Sequence, residues 1–296
     1  MSAQPDDLLP AMAQARERFM ELVADIRPEL FRYCARMTGS VFDGEDVVQD
    51  TLAKACFALS QMAEPPPLRY WLFRIAHNTA MDFLRRYERK HVDLVAEVPD
   101  SAGPDDAGAD PALVEAALAV FAALPPVQRS ALVLKDVLGH SLDETAATMG
   151  TTIPAVKAAL SRARANLPTA APGSPTVAAG ELDRLRRYAD LFNARDWDGL
   201  RALLGEEARL DVVSRTLRRG REVGTYYGKY AEIVPTERLR VEVGLVDGLP
   251  VIACFRPGAP GPAYFIRLEW EAGLVTSIRD FRYVPYIAEG AHYTRA

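Results

Sequence analysis

Two stretches unsuited to packing divide this chain, and the hydrophobic period changes across the second of them. From Asp93 to Glu115 the run DLVAEVPDSAGPDDAGADPALVE holds seven acids and no Lys or Arg. Its Pro, Gly, Ala and Asp content favours an exposed, flexible connector. From Pro168 to Gly180 the run PTAAPGSPTVAAG is uncharged and rich in Pro, Gly and Ala, the composition of a semi-stiff tether. Three pieces result, at about 12–92, 111–167 and 181–296. Before the tether, apolar residues recur every three or four positions through Phe19–Met37, Glu45–Leu59, Leu68–Tyr87, Pro111–Leu124, Pro126–Val137, Leu142–Met149 and Ile153–Leu167, which predicts helices throughout. After it, one helical run, ELDRLRRYADLFNARDWDGLRALL, gives way to β-branched and aromatic runs such as RLRVEVGLV, PVIACFR, AYFIRLEWE and LVTSIRDFRYV. VDGLP between two of them is a hairpin signal. The expectation is a multidomain chain with two all-α pieces followed by an α+β piece.

Composition removes several function classes. The 296 residues carry 35 Lys and Arg against 40 Asp and Glu, a formal net charge of −5, and no stretch approaches the roughly 18 uncharged apolar residues that a membrane span needs. The opening residues MSAQPDDLLP are acidic and lack an apolar core, so no secretory signal is evident and a cytoplasmic, membrane-free protein is expected. Cys34, Cys56 and Cys254 are far apart and form no CxxC; His77, His91, His140 and His292 are equally scattered. Neither a disulfide framework nor a metal site is expected, and no cofactor.

The second piece carries a helix-turn-helix pattern. Ser141-Leu142-Asp143-Glu144 is a capping box that starts a helix running to Met149, and Gly150 supplies the permissive backbone of a tight turn. Thr151-Thr152 offers the next N-cap. The following helix carries Ile153, Val156, Leu160 and Ala163 on one side, with Lys157, Ser161, Arg162 and Arg164 off that stripe. Thr151 to Leu167 holds three bases and no acids, so the local field is positive within an acidic chain. A solvated helical hairpin would show the same charges; DNA binding is the favoured reading.

The first piece carries two further faces. In FDGEDVVQDTLAKA, Val48, Leu52, Ala55 and Leu59 share one helical side, and Asp46 and Asp50 share another beside Asp43, Glu45 and Gln49. Nothing nearby supplies a partner for acid–base chemistry, so this reads as an acidic docking face. In YWLFRIAHNTAMDFLRRYERK, Leu68, Leu72, Ile75 and Thr79 line the core side, while Arg74, Asn78, Asp82, Arg85 and Arg89 form a continuous polar stripe. Arg69–His91 contains six bases and two acids, Trp71 and Phe73 lie at its start, and the Pro-rich AEPPPL precedes it. A basic face with flanking aromatics suits melted or single-stranded nucleic acid, although aromatics at this spacing are more often core.

The succession DGEDVVQDTLAKA, YWLFRIAHNTAMDFLRR, an acidic linker, and LPPVQRSALVLKDVLGHSLDETAATMGTTIPAVKAALSRAR resembles the extracytoplasmic-function sigma factors of the sigma-70 family, over roughly residues 12–167. The resemblance implies a sigma-2 domain at 12–92, a linker at 93–110 and a sigma-4 domain at 111–167, working with RNA polymerase core and promoter DNA. It implies that Asp46, Gln49 and Asp50 meet the β′ clamp helices and that sigma-4 meets the β flap. Trp71, Arg74, Asn78, Arg85, Arg86 and Arg89 would serve the −10 element, with Asn78 and the Pro-rich loop at about Gln61–Leu68 capturing a flipped base. Lys157, Ser161 and Arg162 would face the −35 major groove, and Arg164 a phosphate. Ala158 and Ala159 replace residues that are polar or basic in many relatives, and Asp82 adds an acid to the −10 face, so base preferences do not carry over.

The third piece holds 18 bases and 17 acids and is not a second DNA footprint. Joined by the tether at 168–180, residues 181–296 resemble the SnoaL-like (NTF2-like) cone, in which a curved sheet and helices enclose a pocket. Tyr188, Phe192, Trp197, Tyr226, Tyr227, Phe255, Tyr264, Trp270 and Phe281 are candidate lining residues, most of them expected as core. Asp211, Asp247 and Asp280 are acid–base candidates by type alone, with no His nearby, so catalysis is not expected. The expected role is regulation by intramolecular contact with the sigma domains, with or without a small-molecule ligand. Two other readings remain: a ligand-sensing helix-turn-helix regulator that is not a sigma subunit, and a SnoaL-type enzyme with a DNA-binding arm.

Overall fold

The computed structural model describes residues 5–90, 113, 118–168 and 177–296, arranged as two compact units, Met1–Pro172 and Gly173–Ala296. The acidic linker at 93–110 and the greater part of the tether, 169–176, lie outside the described residues.

The first unit is helical. Helices α1 (Pro5–Leu22), α2 (Arg27–Thr38), α3 (Val41–Leu59) and α4 (Leu68–Lys90) come first, followed by α5 (Leu118–Ala122), α6 (Pro126–Leu132), α7 (Leu142–Met149) and α8 (Ile153–Asn166). Helices α2 and α3 pack closely because of Gly44. A Cβ there would lie 2.5 Å from the Ala35 backbone, so only glycine permits that approach. The apolar sides read from the sequence are the buried ones: Val48, Leu52 and Ala55 in α3, Leu72 and Thr79 in α4. Between α6 and the next turn, Val133–Val137 forms one π-helical stretch, whose wider i→i+5 bonding reorients the chain before His140.

The second half of this unit follows local rules closely. Ser141 Oγ accepts from the Glu144 N–H at 3.2 Å, while the Ser141 N–H donates to Glu144 at 2.7 Å. Gly150 ends α7 at φ +64°, a left-handed conformation natural to glycine. Thr152 caps α8 by accepting from Ala155 N–H. Val156, Ala159 and Leu160 then pack with Ala131 and Ala146 in a small core. Ala159 is thereby a core residue, which accounts for its small size.

The second unit opens with α9 (Ala179–Ala194) and α10 (Trp197–Ala202), followed by β1 (Leu204–Val212), β2 (Thr216–Arg219), α11 (Thr225–Glu237), β3 (Arg240–Val246), β4 (Leu249–Phe255), β5 (Tyr264–Glu271), β6 (Leu274–Asp280), α12 (Tyr286–Glu289) and β7 (Tyr293–Arg295). The strands make one sheet in the order β2-β1-β6-β5-β4-β3-β7. The β1–β6 pair, next to the β2 edge, is parallel; the other pairs are antiparallel. Asp247 and Gly248 take φ of +51° and +79° in the β3–β4 hairpin, the geometry the VDGLP signal required. Asn193 on α9 pins the helix to the sheet: its side chain accepts from the Val241 N–H and donates to the Val241 carbonyl, both at 2.9 Å. Helices lie over a mixed sheet whose inner face, together with α9 and α11, buries one large core. This is the α+β cone arrangement expected from the sequence.

Arg27 and Glu45 supply the sharpest test of the first unit's packing. Glu45 is fully buried and its carboxylate lies 2.6 Å from the Arg27 guanidinium. Arg27→Met strands that charge and is expected to cost about 3–5 kcal/mol, with much of the loss recovered in the Arg27→Met/Glu45→Leu pair. Urea denaturation of the full chain checks both.

Candidate functional site

Helix α3 presents the acidic face, with one change from the sequence reading. Glu45 does not belong to it: besides pairing with Arg27, its Oε1 accepts from Gln49 Nε2 at 2.6 Å, inside the bundle. Asp46 and Gln49 are half-buried and Asp50 is exposed. Phe57, seven residues beyond Asp50 and so on the same side, is 72% exposed. Its aromatic ring at the end of the acidic face escaped the sequence reading, because apolar residues there were counted toward the core.

Helix α4 carries a polar stripe open to solvent. Arg74, Asn78, Asp82, Arg85 and Arg86 are all exposed. Asp82 holds its neighbours: Arg85 Nη1 lies 3.5 Å from its carboxylate, and Arg86 Nε donates to its backbone carbonyl at 3.3 Å. Arg89 falls in the last turn of the helix, with its side chain outside the described residues. Trp71 is half-buried. Phe73, read as a flanking aromatic, is fully buried, edge-on to Tyr33 at 5.9 Å and to His140 at 4.9 Å.

In the helix-turn-helix, Lys157 is exposed, and Ser161 and Arg162 are partly so. Arg164 departs from the expected phosphate contact. Its guanidinium is bidentate on Asp136, with both N···O distances 2.8 Å, and Asp136 is itself buried. Fork-on-carboxylate geometry of this kind fixes α8 to the π-helical stretch, and sets Arg164 apart from the presented face.

The two halves of the first unit are joined by polar side chains that sequence reading did not single out. Tyr33 of α2, His77 of α4 and Ser130 of α6 share hydrogen bonds: Tyr33 O–Ser130 Oγ 2.8 Å, Tyr33 O–His77 Nδ1 3.0 Å and His77 Nδ1–Ser130 Oγ 3.0 Å. All three are buried, and burial pushes the His77 imidazole down to a pKa of about 4, so it stays neutral. Arg69 pairs with Glu29 and lies 3.5 Å from His140 Nε2. The Tyr70 hydroxyl donates to Glu144 at 2.6 Å; with the Ser141 N–H, it holds that carboxyl down to about 2. Arg129 donates to the carbonyls of Met37, Ala122 and Leu124, closing the ends of α2 and α5.

The second unit contains a cavity of about 360 Å³, lined by Leu210 and Val212 of β1, Arg215 and Arg218 of the β1–β2 hairpin, Tyr226, Lys229, Tyr230 and Ile233 of α11, and Asp280, Arg282 and Tyr283 after β6. Tyr188, Phe192, Trp197, Tyr227, Tyr264 and Trp270 do not line it, whereas Tyr226, a candidate named with them, does. The first two, with Tyr227 and Tyr264, are fully buried core, and the two tryptophans pack against that core. The signal that does mark the cavity is Tyr226, Lys229, Tyr230 and Ile233 at i, i+3, i+4 and i+7, one face of α11. Of the three candidate aspartates only Asp280 reaches it. Asp211 lies 3.5 Å from Arg279, and Asp247 serves the hairpin turn. Asp280 is buried and accepts from Tyr226 at 2.9 Å, Tyr230 at 2.8 Å and the Arg282 N–H at 2.9 Å. Burial raises its pKa against those donors.

Among the described residues no cluster of His, Cys, Asp or Glu is placed to hold a metal ion, and no helix is long and apolar enough to cross a membrane.

Comparison with known proteins agrees with this geometry. Residues 22–90 match the family model for Sigma-70 region 2, and residues 115–167 that for Sigma-70, region 4. The chain is 33% identical over 276 residues to the ECF RNA polymerase sigma factor SigG of Mycobacterium tuberculosis, covering 81% of this chain and 71% of the relative. It is 33% identical over 137 residues to the RNA polymerase sigma factor CnrH of Cupriavidus metallidurans, covering 42% of this chain and 71% of that one. Among solved structures, the extracytoplasmic function sigma factor SigJ of Mycobacterium tuberculosis aligns over 88% of this chain and 95% of its own, with 21% identity and a TM-score of 0.35. A SnoaL-like protein of Burkholderia thailandensis aligns over 40% of this chain and 99% of its own, with 18% identity and a TM-score of 0.28. The second unit's fold is assigned on its own strand order. The chain belongs to the extracytoplasmic-function sigma factors, the subunits that direct bacterial RNA polymerase to promoters, and carries an α+β unit behind its two sigma regions.

Proposed function

We propose that the helical unit is the stored, closed form of the sigma factor, which opens when it joins core polymerase. The buried contact among Tyr33, His77 and Ser130 carries this reading. It ties α4, the helix assigned to the −10 element, to α6 of the half that carries the −35 helix. The two promoter elements are about 25 base pairs apart, and at roughly 3.4 Å per pair that is about 85 Å of duplex. A compact body of about 160 residues is roughly 40 Å across. A closed unit is too small to touch both elements, so the joint must part, with the acidic linker at 93–110 spanning the gap.

In the open form the faces take the roles their chemistry supports. Asp46, Gln49 and Asp50 dock on the β′ clamp helices, with Phe57 extending the contact. Arg74, Asn78, Arg85, Arg86 and Arg89, with Trp71 behind them, follow the −10 strand, and Asn78 hydrogen-bonds an extruded base beside the Pro-rich loop. Lys157, Ser161 and Arg162 enter the −35 major groove, while Arg164 holds α8 in place. The C-terminal unit is assigned a modulating role, with Asp280 serving as a structural acceptor for Tyr226, Tyr230 and the Arg282 N–H.

Charge reversal in Asp50→Arg is expected to weaken binding to core polymerase by at least about tenfold, measured by fluorescence anisotropy of the labelled full chain. Unchanged affinity would remove Asp50 from the docking face. On DNA, Arg162→Ala should cost about 1–3 kcal/mol at the cognate promoter and flatten discrimination at one base position, whereas loss of a phosphate contact would weaken all sequences alike. Quantitative footprinting of the holoenzyme separates the two.

The joint is also expected to respond to acid. His77 has a pKa of about 4 in the folded unit against 6.5 when free. A depressed folded value favours the closed unit above pH 6.5, and that contribution is lost as pH falls from 6.5 through 4, about 3 kcal/mol in full. The urea midpoint of the helical unit should fall across this window in the full chain. His77→Gln should flatten that fall.

A further inference from the structure

The cavity of the α+β unit has a polarity that neither sigma function nor packing requires. Four bases line it, Arg215, Arg218, Lys229 and Arg282, against the single acid Asp280. Arg282 is committed: it pairs with Glu237 and donates to the Tyr264 hydroxyl at 3.2 Å. Arg215, Arg218 and Lys229 have no carboxylate partner among the described residues. The Arg215 guanidinium rests 4.8 Å over the Tyr283 ring, which holds it at the cavity rim. Arg218 donates to Thr225 Oγ1, at the start of α11. The turn that carries them is conformationally set, since Ser214 has φ +69°.

The cavity also presents neutral polar groups. Tyr226 and Tyr230 both donate to Asp280 Oδ2, which leaves acceptor capacity on the Tyr226 hydroxyl oxygen. A chain from Arg282 through Tyr264 and Tyr230 to Asp280 orders these groups. Leu210, Val212 and Ile233, with the Tyr283 ring, supply apolar wall. A volume of about 360 Å³ lies in the range of small-molecule sites.

We propose that this cavity binds a small organic acid: a carboxylate or similar anion between Arg215, Arg218 and Lys229, a ring-sized apolar body against Leu210, Val212 and Ile233, and a hydroxyl donor to the Tyr226 hydroxyl oxygen. An anion entering between three cations gains charge-assisted hydrogen bonds without displacing an existing ion pair. Desolvating an uncharged ligand there would leave those cations unanswered, so the site selects for charge.

The test uses the full chain and two matched dyes, the anionic 1-anilinonaphthalene-8-sulfonate and the neutral N-phenyl-1-naphthylamine, with 4-hydroxybenzoate as competitor. The expected result is saturable one-site binding of the anionic dye and its displacement by 4-hydroxybenzoate. Arg218→Gln/Lys229→Gln should weaken the anionic dye by about tenfold or more, the loss of one charged hydrogen bond or better, and leave the neutral dye unchanged. The thermal unfolding profile of the variant, measured alongside, should match that of the parent. Ile233→Trp, which fills the cavity without touching charge, should abolish binding of both dyes. No saturable binding of the anionic dye, no displacement by 4-hydroxybenzoate, equal affinity in the charge variant, or binding that survives Ile233→Trp would each overturn the assignment.

Discussion

The hydrogen bonds among Tyr33, His77 and Ser130 are the constraint on which the helical unit depends. They lie where no water can replace them, and they connect three helices that are distant in sequence. Around them, Phe73 fills the space between Tyr33 and His140, and Arg129 closes helix ends from both halves. Across the joint these neutral hydrogen bonds and the Phe73–His140 contact accompany buried apolar side chains such as Phe121 and Leu124, and each hydrogen bond returns only a modest net free energy. Asp50 of α3 and the polar stripe of α4 face solvent in this arrangement.

The α+β unit is organised on another principle. Its centre is a tyrosine-rich core in which one buried carboxylate, Asp280, gathers two hydroxyls and a backbone N–H. Rings pack edge-on around it, with Tyr226–Tyr230 centroids 4.9 Å apart and Phe192–Tyr230 5.2 Å apart. A buried carboxylate with that many donors fixes the end of β6 against α11, and so fixes the cavity that both elements line.

What the sequence disclosed followed physical locality. Helices, the capping box at Ser141, the turn at Gly150 and the Asp247–Gly248 hairpin depend on neighbours within a few residues, and the pattern displays them. Faces were legible as well: Arg74, Asn78, Arg85 and Lys157 lie on the exposed sides that spacing assigned. What spacing leaves open is the partner across the bundle. Glu45 looked like one more acid on a docking face, but Arg27, 18 residues earlier, draws it inside. Arg164 looked like a phosphate ligand, but Asp136 claims its fork from 28 residues away. The aromatic candidates of the last unit mostly fill the core, as expected of large aromatics, and Tyr226 is the one among them that reaches the cavity. The cavity is instead marked by charged residues whose convergence only the tertiary fold creates.

Opening of the joint on core polymerase is the central claim, and distance is its most direct measure. Fluorescent labels placed at Asp82 on α4 and Ala155 on α8 of a cysteine-free full chain, by single-cysteine substitution at each site, report the separation of the two halves. The account predicts high energy transfer in the free protein, and its near-complete loss when core polymerase is added in excess, as the labels move toward the roughly 85 Å between promoter elements. Transfer that stays high in a transcriptionally competent holoenzyme would contradict it.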